Sequence, residues 1–136
     1  MKQMIRSLAM TACLSVITIP AFAELVIVIN PQNDIKSMTA SQVAQYFLGG
    51  SVQFTPIEQA NGSPIRLEFY KKVLEKEPPQ VQAIWARIVF TGKGKPPREL
   101  KTSDEIKKAI RENVNAIGYI EKTAVDDSVK VIASIP

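Results

Sequence analysis

The chain contains no histidine. That removes the commonest general base and the commonest metal ligand together. Its single cysteine, Cys13, lies near the N-terminus, so no disulfide can staple the remainder and no Cys–His nucleophile can form. Long apolar runs are also missing. The longest, Leu8 to Ile19, is short of the roughly 20 residues that span a bilayer. Acidic and basic residues nearly balance, with a formal charge of +4. So mild an excess does not point to a nucleic-acid partner. The acidic pairs Asp104-Glu105 and Asp126-Asp127 lack a third ligand at metal-binding spacing. An enzyme is not expected, nor is a cofactor or a metal site.

The first 23 residues carry the pattern of a secretory signal peptide. Lys2 and Arg6 form a basic start, Leu8 to Ile19 an apolar centre, and Ala21-Phe22-Ala23 a small-x-small cleavage site. Met10-Thr11-Ala12-Cys13 faintly resembles a lipoprotein box, but a cut there leaves almost no apolar run. Cleavage after Ala23 leaves residues 24–136 as one domain, periplasmic or secreted, without a membrane span. Lys2 and Arg6 leave with the signal and no acid precedes Glu24, so the charge falls to +2.

Leu25-Val26-Ile27-Val28-Ile29 is continuously apolar and mostly β-branched, which predicts a strand covered on both faces. Thr39 and Gln42 form a capping box for a helix through Val43, Tyr46 and Phe47, stopped by Gly49-Gly50. Residues 52–59 read as extended, with Phe54 and Ile57 inward. Ser63 and Pro64 open a second helix, with Ile65, Phe69 and Val73 in one row. Pro78-Pro79 restart the chain into a helix whose stripe is Val81, Ile84, Trp85, Ile88 and Val89. Trp85 reads there as core rather than as a platform for a ligand.

Thr91 to Leu100 reads as a solvated basic loop. "TGKGKPP" within it brings glycine and lysine together, but Pro96-Pro97 follow where a phosphate loop needs a hydroxyl and a helix. Thr102 with Glu105 caps a further helix, and short strands follow at Ile117–Ile120 and Val129–Ile132. The order β-α-β-α-α-α-β-β predicts an α/β fold with helices packed on both faces of a small mixed β-sheet.

The stretch Asn61-Gly62-Ser63-Pro64 admits two readings. Ser63 can simply cap its own helix. Alternatively, the exposed N–H groups of Ile65 and Arg66, the helix dipole and the Arg66 charge can cradle an anion.

Taken together, these segments resemble the phosphate-type periplasmic substrate-binding proteins of ABC importers. The family pattern L-T-x-x-Q-L-A-x-I-F-L-G is similar to Met38-Thr39-Ala40-Ser41-Gln42-Val43-Ala44-Gln45-Tyr46-Phe47-Leu48-Gly49. Its R-x-x-G-S-G-T is similar to Gln59-Ala60-Asn61-Gly62-Ser63-Pro64-Ile65, and its G-A-I-G-Y-V to Asn115-Ala116-Ile117-Gly118-Tyr119-Ile120. The resemblance runs over nearly all of residues 24–136. It implies a single lobe, the second, of a two-lobed type II binding-protein fold. It also implies phosphate or a similar oxyanion as ligand, held at Gly62, Ser63, Ile65, Arg66 and Gln59, with an ABC permease as a partner.

Three departures weaken the implied site. Gln59 stands for the family's arginine, Pro64 for a glycine whose N–H is thereby lost, and Ile65 for a threonine whose hydroxyl is lost. Two functions are therefore expected to compete. One is weak oxyanion binding. The other is a ligand-free protein-interaction module of the cell envelope that keeps the fold.

Overall fold

A computed structural model describes residues 24–136, together with Cys13 and Ser15. The expected signal peptide otherwise lies outside the described residues. Strand β1 (Leu25–Ile29) is buried along its whole length. Leu25, Ile27 and Ile29 join one apolar cluster, and Val26 and Val28 join another. The continuous run thus fills cores on both faces of the sheet, each side chain contributing roughly 1.5–3 kcal/mol before its entropy cost. The remaining strands are β2 (Thr55–Gln59), β3 (Arg98–Leu100), β4 (Ala116–Glu121) and β5 (Lys130–Ile135). Their spatial order is β3-β2-β4-β1-β5. β2 runs parallel to β3 and β4, whereas β1 is antiparallel to both β4 and β5. The mixed sheet is as expected.

Helix α1 (Ala40–Phe47) begins with the predicted capping box. Gln42 N–H donates to Thr39 Oγ1 at 3.2 Å, and Thr39 N–H to Gln42 Oε1 at 2.9 Å. Helix α2 (Pro64–Phe69) continues without interruption into a π-helical turn, Tyr70–Leu74. The wider turn ends at Glu75, whose φ is +54°. Helix α3 (Pro78–Phe90) follows, then α4 (Ser103–Glu112). Side chains of α1, α2, the π turn and α3 pack in the first cluster, those of α4 in the second. Helices therefore cover both faces, as the sequence leads one to expect.

Aromatic contacts organise the first cluster. Phe69 stacks on Tyr119 at 4.0 Å between centroids, and Phe47 meets Phe69 edge-on at 4.7 Å. On the opposite face Gly118 lets α4 approach the sheet. A methyl group there would stand 3.0 Å from Ile106 Cγ2 and 3.2 Å from Ile110 Cδ1.

Three local details differ from expectation. The supposed loop Thr91–Leu100 ends in β3, which pairs with β2 through Ile57–Arg98 to Gln59–Leu100. Glu105 does not close a box on Thr102; its carboxylate accepts from Lys101 N–H at 2.8 Å, one residue further back. On α3 only Val81 is buried. Ile84, Trp85 and Ile88 are half-buried, and Val89 and Phe90 are exposed. The stripe is real, but little covers its outer half.

Candidate functional site

In parallel sheets, ligands gather outside the carboxyl ends of the strands. Here β2 ends at Gln59, and the turn Ala60–Ser63 leads into α2. Ser63 N–H donates to the Ala60 carbonyl at 3.1 Å. Gly62 sits in the turn with φ +82°, and a Cβ there would meet nothing within 4 Å. Its need is therefore conformational rather than spatial. Ser63 caps α2: its hydroxyl accepts from Arg66 N–H at a long 3.4 Å, and its carbonyl from Leu67 N–H at 3.2 Å. Among the described residues the Ile65 N–H has no acceptor. Asn61 and Gly62 are exposed and Ser63 is half-exposed, so the mouth of α2 is open to solvent.

Gln59 is buried and already engaged. Its Nε2 donates to the Tyr119 carbonyl and to Ser103 Oγ, both at 3.3 Å, tying β2 to β4 and to the start of α4. Its N–H donates to the Tyr119 hydroxyl at 3.3 Å.

Arg66 is also turned inward. Its NH1 donates to Glu99 Oε1 at 2.7 Å and to the Gln59 carbonyl at 3.1 Å. Its Nε donates to the Tyr70 hydroxyl at 3.1 Å, and NH2 lies 3.3 Å from Glu58 Oε2. Tyr70 completes the relay by donating to Glu58 Oε2 at 3.1 Å. The sequence presents Arg66 as a cation free for an anion. The structure instead commits its guanidinium fork to two carboxylates, a geometry that arginine suits. The mouth of α2 is left with backbone donors and the Ser63 hydroxyl.

Glu58 is the unexpected member of this cluster. It is 3% exposed, and among the described residues its Oε1 has no hydrogen-bond partner. Burial pushes its carboxyl up from 4.5 to about 7, with Glu99 adding to the rise and Arg66 and the Tyr70 hydroxyl opposing it. Burial likewise raises the Tyr70 phenol to about 12, with Glu58 reinforcing it. For Arg66 burial works against the charge, but Glu99 and Glu58 outweigh it and the pKa rises. One sequence signal points to Glu58. A charged residue beside inward-facing Ile57, in a strand under helices on both faces, must find a partner. Glu99 falls in the segment read as loop and carries no such signal.

The lysines of "TGKGKPP" are exposed, as expected of a solvated loop. Asp126 accepts from Lys107 Nζ at 2.8 Å and from Ser128, which hold its carboxyl well below the usual range. Among the described residues no group of acids has the makings of a metal site, and no helix is long and apolar enough to cross a membrane.

Beside the Glu58–Arg66–Glu99 cluster opens a cavity of about 520 Å³. Tyr70 and the cluster form its polar end, and α3 contributes an apolar wall that includes Trp85. Trp85 is held in place by its Nε1, which donates to the Phe47 carbonyl at 2.9 Å. It is thus both partly core and part of a cavity wall.

No protein-family model and no curated protein sequence matches the chain. Solved structures do match. A Clostridium perfringens protein with bound phosphate, assigned as a phosphate ABC transporter substrate-binding protein, superposes with a TM-score of 0.67 at 21% identity. An ABC-type phosphate transport receptor from Vibrio cholerae gives 0.65 at 18%, and PstS from Borrelia burgdorferi 0.61 at 14%. These matches cover 81%, 81% and 82% of this chain but only 44%, 45% and 47% of theirs. The chain therefore spans less than half the length of those structures. At such identities the likeness is one of fold: the described residues form a single lobe of the periplasmic-binding-protein type.

Proposed function

We propose that this chain is an exported domain that binds phosphate or a similar oxyanion weakly at the start of α2. The observation that carries the reading is the open Gly62-Ser63-Pro64 turn at the carboxyl end of β2, with the Ile65 N–H unengaged. The fold is shared with proteins named for phosphate transport, one of them solved with phosphate bound. Gly62, Ser63 and the N–H groups of Ile65 and Arg66 would contact the anion. Gln59 and the Arg66 side chain would hold the turn in place from behind.

Weak affinity follows from what the site lacks. Pro64 offers no N–H, Ile65 no hydroxyl, and Arg66 no free guanidinium. Hydrogen bonds to charged groups are worth about 1.5–3 kcal/mol each, so losing two or three moves a micromolar site to roughly millimolar. Isothermal titration of the domain beginning at Glu24 with phosphate and with sulfate tests this. Saturable heat at millimolar anion, lost in Ser63→Ala, is expected. A folded protein that gives no heat overturns it. Export itself is checked by intact mass, which should begin at Glu24.

A second reading has its own observation. Arg66 is locked between carboxylates while Val89 and Phe90 stand exposed on α3. A lobe with those features suits a protein-interaction module that docks an envelope protein or an ABC permease. Crosslinking in the intact envelope that returns no specific partner would remove this alternative.

A further inference from the structure

The cavity beside Glu58 adjoins the mouth of α2, with Asn61 lining it, but has the opposite electrostatic character. Its polar end holds two carboxylates, Glu58 and Glu99, against one guanidinium, Arg66. With both acids ionised that end carries one net negative charge and repels anions. Glu58 Oε1 is buried without a partner, and buried acceptors are almost always satisfied. Among the described residues no donor meets that oxygen.

The other walls are mostly apolar, with Gln82 the polar member on α3. Val81, Trp85, Val89 and Phe90 line one side, Pro96 and Pro97 another. Phe90 is 91% exposed and Val89 48%, so among the described residues little covers this wall. Aromatic rings beside a site of net negative charge favour cations through their π faces. A volume of about 520 Å³ lies within the range of small-molecule pockets.

We propose that this cavity takes a small organic cation: a protonated nitrogen on an aromatic or alkyl body, with the nitrogen donating to the Glu58–Glu99 end and the body lying against Trp85, Val89 and Phe90. The proposal stands apart from the oxyanion reading, and a failed phosphate titration does not touch it. Burial, opposed by Arg66 and Tyr70 and aided by Glu99, brings the Glu58 carboxyl up to about 7. Tyr119 on β4 faces the same acid and stays a neutral phenol, its own pKa raised by burial and by Glu58. Among the described groups facing Glu58, then, only Arg66 is cationic. A bound ammonium stabilises the ionised acid, so affinity should rise as pH increases through 7.

Trp85 is the chain's single tryptophan and reports directly on the cavity. Its fluorescence is titrated with phenethylammonium, with neutral phenylethanol and with phenylacetate, three probes of one shape and different charge. The expected order of affinity is cation, then neutral, then anion. In Glu58→Gln the preference for the cation over phenylethanol should fall about tenfold, the worth of one charge-assisted hydrogen bond. Glu99→Gln, at a half-exposed side chain, should lower it severalfold with the fold intact, and it carries the test if Glu58→Gln does not fold. No response to any probe, equal binding of cation and anion, or an unchanged preference in Glu99→Gln overturns the proposal.

Discussion

Glu58 makes a prediction about stability whose sign runs against common experience with carboxylates. Its carboxyl stands near 7 in the folded chain against 4.5 for the free group, chiefly because burial penalises the charge. Between those values the folded state holds a proton that the unfolded state has released. Stability from this group is therefore complete below about pH 4.5 and is lost as pH rises through 7. At about 1.4 kcal/mol per pH unit, the loss amounts to about 3 kcal/mol. Urea unfolding followed by Trp85 fluorescence, at pH values from 5 to 8, measures the slope. Glu58→Gln keeps an acceptor for Tyr70 and Arg66 but cannot ionise. The gap in unfolding free energy between the two proteins should change by about 3 kcal/mol across the range, in favour of the variant as pH rises. Asp126 acts in a separate window. Its lowered pKa gives stability that is present above 3.8 and lost in stronger acid. Parallel pH profiles for the two proteins would refute the reasoning about Glu58.

Arg66→Met strips the charge that holds Glu58 and Glu99 together, and it should cost about 3–5 kcal/mol by thermal or urea unfolding at pH 8. Arg66→Lys should restore less than half of that, because an ammonium cannot reproduce a fork that reaches Glu99, the Gln59 carbonyl and Tyr70 at once. Gly118→Ala should lower the urea midpoint by the equivalent of about 1–3 kcal/mol. The added methyl meets Ile106 and Ile110 at the close approach of α4 to β4, and Ile106→Val in the same chain should recover part of the loss.

The elements most legible in the sequence are those whose signal is local. Leu25–Ile29 reads as a doubly covered strand because five apolar residues in succession have no other use in a chain this short. Thr39 with Gln42, and Ser63 with Pro64, mark helix starts because their side chains and ring geometry act within one turn. Features that depend on distant partners are not legible. Arg98-Glu99-Leu100 has no alternation of its own and becomes a strand because β2 offers it a free edge. The stripe on α3 shows which face is apolar but not whether anything covers it, and Val89 is left in solvent. The fate of Arg66 is the clearest case at the candidate site. Its place in the first turn of α2 is readable. The two acids that claim it come from strands preceding and following it in the chain, and only the assembled sheet brings them together.

β1 opens the described chain yet sits inside the sheet, with Leu25 facing Glu121 on one side and Ile135 on the other. Both of its neighbours, β4 and β5, come far later in the chain. Until they arrive, its five apolar residues have no strand to pair with, and the loop that must close spans nearly the whole domain. Folding should be slow to begin and then close as a unit, so that removing β5 leaves β1 with an open flank. A polypeptide of this layout stays threadable until β4 and β5 have both been made.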